Sequence, residues 1–298
     1  MSRKNDHPPG TENNGGSGSA KPSSDLRDGV SEPASQGYNE PASQPVSAPA
    51  SGAPKGPITD TMLRPLLKRF YKIVTIGEGP NFPILLDGRA VKTPKKRALT
   101  LPTRALAAAV AAEWAAQDKN INPSAMPLTR FANTAIDGVS DSLAAVAADI
   151  VAFAGSDLLC YRAEGPQDLA ATQATRWDPV IAWARVKLGA RFTVVTGIMP
   201  VEQPQHALAA IAAALQPHDA FQLTAQHVMT TLTGSALLML AHVHGHLTAE
   251  DAWAAAHVDE DYQIALWGTD QEAEHRRSRR HAEFLAACAM LSALAARG

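Results

Sequence analysis

Phe82-Pro83-Ile84-Leu85-Leu86-Asp87-Gly88-Arg89-Ala90-Val91-Lys92-Thr93-Pro94 is the stretch that decides the fold. Phe82 to Leu86 has the composition of a strand. Asp87-Gly88 supplies two residues suited to the positive φ angles of a two-residue hairpin turn, and Arg89 to Thr93 returns as a second strand that runs up to Pro94. Upstream, Phe70 to Ile76 reads as another short strand, set off by the break Gly77-Glu78-Gly79-Pro80-Asn81. The sequence therefore predicts a small β-meander.

Beyond Pro102 the chain reads helical. Thr103 is a candidate N-cap, followed by Leu106, Val110 and Trp114 at spacings of four, with Trp114 expected in the core. A second helix is expected over Ser140 to Phe153, stopped by Gly155, and Leu158 to Tyr161 reads as a short extended piece. Asp178-Pro179 reads as an N-cap and first helical residue, which splits that region into two helices, the second closing at Gly189. Phe192 to Val195 reads as a lone strand joining the N-terminal sheet. Further helices are expected over Gln205 to Leu215, Asp219 to Thr231, a central Ser235 to His244, Thr248 to Leu266 with Asp251 completing a capping-box-like pair, and Gln271 to Ala295. The predicted fold class is α+β, with a β-rich part over 66–102 and a helical part over 103–298.

The composition agrees. In 298 residues apolar side chains make up 45% and charged ones 19%, while aromatics are only 5%; with an alanine-rich second half, this excludes an all-β sandwich or barrel. The 27 basic and 29 acidic side chains leave a net charge of −2, without the global basic field that non-specific nucleic-acid or membrane binding needs. Two cysteines, Cys160 and Cys288, fit neither a disulfide framework nor a zinc site and point to a reducing compartment. Residues 1–60 are expected to be a disordered tail, because Ser, Pro, Gly, Ala and Asn dominate and large apolar residues are scarce. Between Met1 and Pro57 five basic residues face six acidic ones, unlike a mitochondrial transit peptide, and no signal-like apolar run is present, so a bacterial cytoplasmic setting is expected. The richest apolar run, Ser235 to Val243, is closed by His244 and Gly245, too short to span a membrane, and a soluble protein is expected.

Catalytic motifs are missing. The sequence has no phosphate loop, no G-x-G-x-x-G and no nucleophile elbow, and Gly77 and Gly79 sit between strands rather than before a helix. His242 and His244 could share a metal with His246 only if one helix carried the rings on one face; Gly245 interrupts it, so no metal and no cofactor is expected. Cys160 lacks a recognisable base and reads as a buried thiol. Arg276, Arg277, Arg279 and Arg280 are interleaved with Glu272, Glu274 and Glu283 and read as an ion-paired helix face. A small-molecule enzyme with a composite site and an RNA-binding adaptor using the arginine cluster remain as alternative functions. The most unusual feature is Asp259-Glu260-Asp261, followed by Tyr262-Gln263-Ile264 and Trp267-Gly268. There Glu260 lies near the apolar side of a helix, either as a buried partner of His257 or of an arginine, or as part of a recognition surface.

An ordered set of segments carries a resemblance. Arg69-Phe70-Tyr71-Lys72, Leu85-Leu86-Asp87-Gly88-Arg89 with Lys92-Thr93-Pro94, and Ala112-Glu113-Trp114 with Gln117 come first. Met126-Pro127-Leu128-Thr129 with Asn133-Thr134, Asp157-Leu158-Leu159-Cys160-Tyr161-Arg162, Trp177-Asp178-Pro179, and Asp261-Tyr262-Gln263 with Trp267-Gly268 follow. From about Pro65 to the C-terminus the chain thus resembles the assembly chaperones of the F1 sector of ATP synthase that act on its alpha subunit. The resemblance implies a small β-rich domain followed by a larger helical one. It also implies a non-enzymatic role, in which the free alpha subunit is kept soluble until the beta subunit replaces the chaperone. It implies a protein partner, with no nucleic acid and no membrane insertion, and a monomer is expected. Asp259, Glu260, Asp261, Tyr262, Gln263 and Trp267 are the expected partner-binding residues.

Overall fold

The computed structural model describes residues 66–216 and 219–296, so the tail expected over 1–60 lies outside the described residues. The sheet comes first: β1 (Val74–Ile76), β2 (Phe82–Leu86), β3 (Arg89–Ala90) and β4 (Thr100–Leu101). β2 pairs antiparallel with β1, Thr75 opposite Leu85, while β3 and β4 pair with its C-terminal and N-terminal halves. The turn forms as the sequence dictates, with Asp87 at φ 47° and Gly88 at φ 77°. β1 is shorter than the expected Phe70 to Ile76, because the chain before it is tied elsewhere: Lys72 and Ile73 donate their N–H groups to the Asp87 carboxylate.

Ten helices follow among the described residues, beginning with α1 (Arg104–Ala115), α2 (Pro127–Asp137), α3 (Leu143–Gly155) and α4 (Gln167–Trp183). Thr103 caps α1 by accepting from Leu106 N–H, and its hydroxyl also donates to the carbonyl of Ala293, near the C-terminus, at 2.8 Å. The segment expected to be extended at Leu158 to Tyr161 is instead a 3₁₀ turn, Leu158–Cys160, leading into a two-residue strand, β5 (Tyr161–Arg162). α4 corrects the expected split at Asp178-Pro179. The helix runs straight through Pro179, because Trp177 and Val180 are both fully buried and anchor the two sides of the interruption. Asp178 caps nothing and pairs with Arg162 at 2.8 Å. The helix then loosens into one π-helical turn, Ala184–Leu188, and closes at Gly189, whose φ is 69°.

The expected strand at Phe192 to Val195 does not reach the N-terminal sheet. β6 (Val195–Thr196) pairs in parallel with β5 instead, and the side-chain amide of Gln203 takes both backbone groups of Thr193, at 2.8 and 2.9 Å, as a strand partner would. After it come α5 (Gln205–Ala214), α6 (Ala220–Thr233) and α7 (Ala236–Val243), where Asp219 and Ser235 act as N-caps of α6 and α7. Then follow α8 (Ala249–Ala256), capped by Thr248, α9 (Val258–Trp267) and α10 (Gln271–Ala295), capped by Asp270.

α7 is apolar nearly all round because it is central: every residue from Ala236 to Ala241 is buried. α6 packs between α2, α3, α7 and α10. The sheet shares this core, since Ile84, Leu99 and Leu101 belong to the same buried cluster as Leu106, Phe131 and Phe284. A smaller cluster gathers Tyr71, Leu86, Ile121 and Met126, with Trp114 packed against it. The window Leu143–Cys160 is apolar enough over 18 residues to match a membrane span, at a mean hydropathy of 1.8, but it is not one helix. α3 ends after 13 residues and the fully buried Asp157 follows. That carboxylate accepts from the Ser235 hydroxyl at 2.7 Å and from Leu237 N–H at 3.0 Å, at the start of α7.

Candidate functional site

The acidic run does not sit in the middle of a helix from Thr248 to Leu266. The helix breaks at His257, whose ring Nδ1 bonds the carbonyl of Trp253 at 2.8 Å, and a new one starts at Val258. Asp259, Glu260 and Asp261 therefore occupy the first turn of α9, where carboxylates complement the positive end of the helix dipole.

From there the three acids diverge. Asp259 turns towards α4 and accepts from the side-chain amide of Gln173 at 2.6 Å, while Asp261 forms an ion pair with Arg277 of α10. Tyr262 donates its hydroxyl to Asp168, at the start of α4, at 2.9 Å. These ties hold α9 between two helices. Glu260 is left about two-fifths exposed, its nearest partner being Nε2 of His257 at 3.9 Å. Burial pulls the pKa of His257 down, so the ring is neutral near pH 7 and the pair carries one charge rather than two.

The C-terminal end of α9 is different in kind. Gln263 is exposed, Leu266 is 57% exposed and Trp267 85%, just before the chain turns at Gly268 into α10. Glu260, Gln263, Ile264, Trp267 and Arg277 line an open groove of about 560 Å³ between the two helices. An indole held in water beside carboxylates is costly for an isolated chain and suits a surface that another protein covers.

The other chemical candidates are occupied structurally. The His244 and His246 rings lie against Trp183, at centroid distances of 5.7 and 5.5 Å, and the His242 ring bonds the carbonyl of Leu247. Among the described residues no three His, Cys, Asp or Glu side chains converge as a metal site would require. Burial pushes the Cys160 and Cys288 thiols up to about 12, which removes the thiolate a nucleophile needs. Of the arginine cluster, Arg276 pairs with Glu272, Arg277 with Asp261, and Arg280 donates to the carbonyl of Leu232.

The comparisons with known proteins agree with one another. The sequence pattern of the family described as ATP12 chaperone protein matches residues 68–185. A protein of Schizosaccharomyces pombe named "Protein atp12, mitochondrial" is 25% identical over 242 residues, covering 77% of this chain and 83% of its own. Among solved structures, the Atu1473 protein of Agrobacterium tumefaciens superposes with a TM-score of 0.75 at 48% identity, covering 78% of this chain and 88% of that one. Atp12 of Paracoccus denitrificans superposes with a TM-score of 0.72 at 41% identity, covering 76% of this chain and 98% of that one.

Proposed function

Because the chain belongs to the ATP12 chaperone family, we propose that it is an assembly chaperone of the F1 sector of ATP synthase whose client is the unassembled alpha subunit. The observation that carries this reading is the 41% identity to Atp12 of Paracoccus denitrificans across 98% of that protein, sheet and helices together. A free alpha subunit exposes surfaces that its neighbours cover in the assembled ring, and a patch of that size aggregates unless it is shielded. Shielding needs no chemical step. Displacement by the beta subunit, a tighter partner, releases the client, which accords with the structural occupation of the histidines and cysteines.

The α9 surface is the proposed contact, formed by Glu260, Gln263 and Trp267 and held in place by Asp259, Asp261 and Tyr262. The proposed chaperone acts as a monomer, and its proposed setting is the bacterial cytoplasm, a reading supported by its similarity to structures from the bacteria Agrobacterium tumefaciens and Paracoccus denitrificans. Light scattering of alpha subunit diluted from denaturant tests the reading. An equimolar amount of the full chain is expected to suppress aggregation without binding the assembled α3β3 ring, and an unchanged scattering curve would overturn it.

A further inference from the structure

The sheet and the helices carry opposite charge. From Leu66 to Arg104 nine lysines and arginines stand against two carboxylates, Glu78 and Asp87, whereas residues 105–296 hold eleven basic and twenty acidic side chains. Phe70, Tyr71, Leu86 and Val91 of the basic part, together with Trp114 of α1, line an open groove of about 550 Å³, with Arg89 and Lys92 in its wall. Both cations are exposed, and no carboxylate of the described residues pairs with either. Asp87 also borders the groove, but its carboxylate is taken up by the backbone N–H groups of Lys72 and Ile73 at 3.1 and 2.8 Å.

A further observation marks this as an uncovered surface: Phe70 and Ile73 are 67% and 62% exposed, far more than large apolar side chains need to be in a molecule with this much core.

We propose that this groove docks an extended acidic segment of a partner protein, with an apolar side chain of the segment on the Leu86 and Val91 floor and its carboxylates on Arg89 and Lys92. Charge complementarity selects the partner: a segment rich in Asp and Glu gains two unpaired cations, and a basic one meets repulsion. Single-stranded nucleic acid is the poorer fit, because it needs open ring faces in succession. Tyr71 is buried edge-on between Phe70 and Trp114, at centroid distances of 5.4 and 5.7 Å, which leaves Phe70 as the exposed ring of the groove. The inference goes beyond the alpha-subunit reading, since it concerns a second surface and its test uses no alpha subunit.

The probe is a fluorescein-labelled peptide of alternating aspartate and leucine, titrated with the full chain and followed by fluorescence anisotropy. Saturable binding that weakens as salt is raised is expected, with affinity about tenfold or more lower when Arg89→Glu and Lys92→Glu are combined. Lys92→Gln alone gives a smaller loss in the same direction, and neither change removes a side-chain ion pair among the described residues. Equal affinity of the native and charge-reversed proteins overturns the proposal. So does equal binding of a lysine–leucine peptide, or tighter binding of poly(U) or of phosphatidylglycerol vesicles than of the acidic peptide.

Discussion

Glu113 and Thr129 are joined twice: the carboxylate of Glu113, late in α1, accepts both the backbone N–H and the hydroxyl of Thr129, each at 2.7 Å. Its other oxygen takes the N–H of Leu128 at the same distance. α2 has no side-chain cap of its own, so its start is capped from another helix.

Glu113→Ala is therefore expected to destabilise the protein by about 1–3 kcal/mol, since it leaves two backbone donors at the start of α2 without their acceptor. Glu113→Gln keeps one acceptor oxygen and should cost less. Urea denaturation of both variants checks the order, and an alanine variant as stable as the parent would show that water replaces the carboxylate freely.

Asp157 predicts a pH dependence. Burial lifts its carboxyl from the ordinary 3.8 to about 6, against hydrogen bonds from Ser235, Leu237 and Leu159 that lower it. A carboxyl with the higher pKa in the folded state binds more protons there, so its contribution to stability is largest in acid and is lost as pH rises from about 4 to about 6. The difference amounts to about 3 kcal/mol. Surface carboxylates such as Asp141, held low by Arg97, act in the opposite direction, so the test is the difference between the native protein and Asp157→Asn. Relative to the variant, the native protein should gain stability on acidification through that window, and a flat difference would place the Asp157 pKa near its ordinary value.

Glu260→Gln separates two roles. With a side chain about two-fifths exposed and 3.9 Å from a neutral His257, its removal should cost less than about 1 kcal/mol of stability. Binding of alpha subunit should weaken by about tenfold or more if the carboxylate meets a desolvated cation of the client. Melting curves and binding titrations on the same variant decide it. A collapsed melt would make Glu260 structural, and two unchanged values would remove α9 from the contact.

Trp267→Ala should leave the melting curve where it is, because the side chain is 85% exposed, and should weaken alpha-subunit binding by about 2 kcal/mol or more as buried interface tryptophans do. Isothermal titration reads this directly, and an unaltered affinity would place the contact elsewhere.

What was legible in the sequence was whatever a few neighbouring residues decide. Asp87-Gly88 announces its turn, and Thr103, Asp219 and Thr248 announce the helices that they cap, because each device acts within four residues. Distant partners overrode local signals elsewhere. The cap of α2 lies on Glu113; Pro179 is carried inside α4 by the burial of Trp177 and Val180; the segment at Thr193 finds the amide of Gln203 in place of a sheet. The acidic run was visible as a composition. Its division into Asp259 and Asp261, tied to α4 and α10, and a less constrained Glu260 depends on the break at His257, where a ring nitrogen bonds the carbonyl of Trp253.

The bond from Thr103 to Ala293 has a consequence in time. It joins the opening of the first helix to the end of the last, and α10 contributes Phe284 and Met290, both fully buried, to the core. A ribosome delivers a chain from its N-terminus, so the faces of α1, α2, α6 and α8 that α10 packs against stay bare until α10 has been translated. A chain cut before α10 keeps those faces exposed and itself needs rescue.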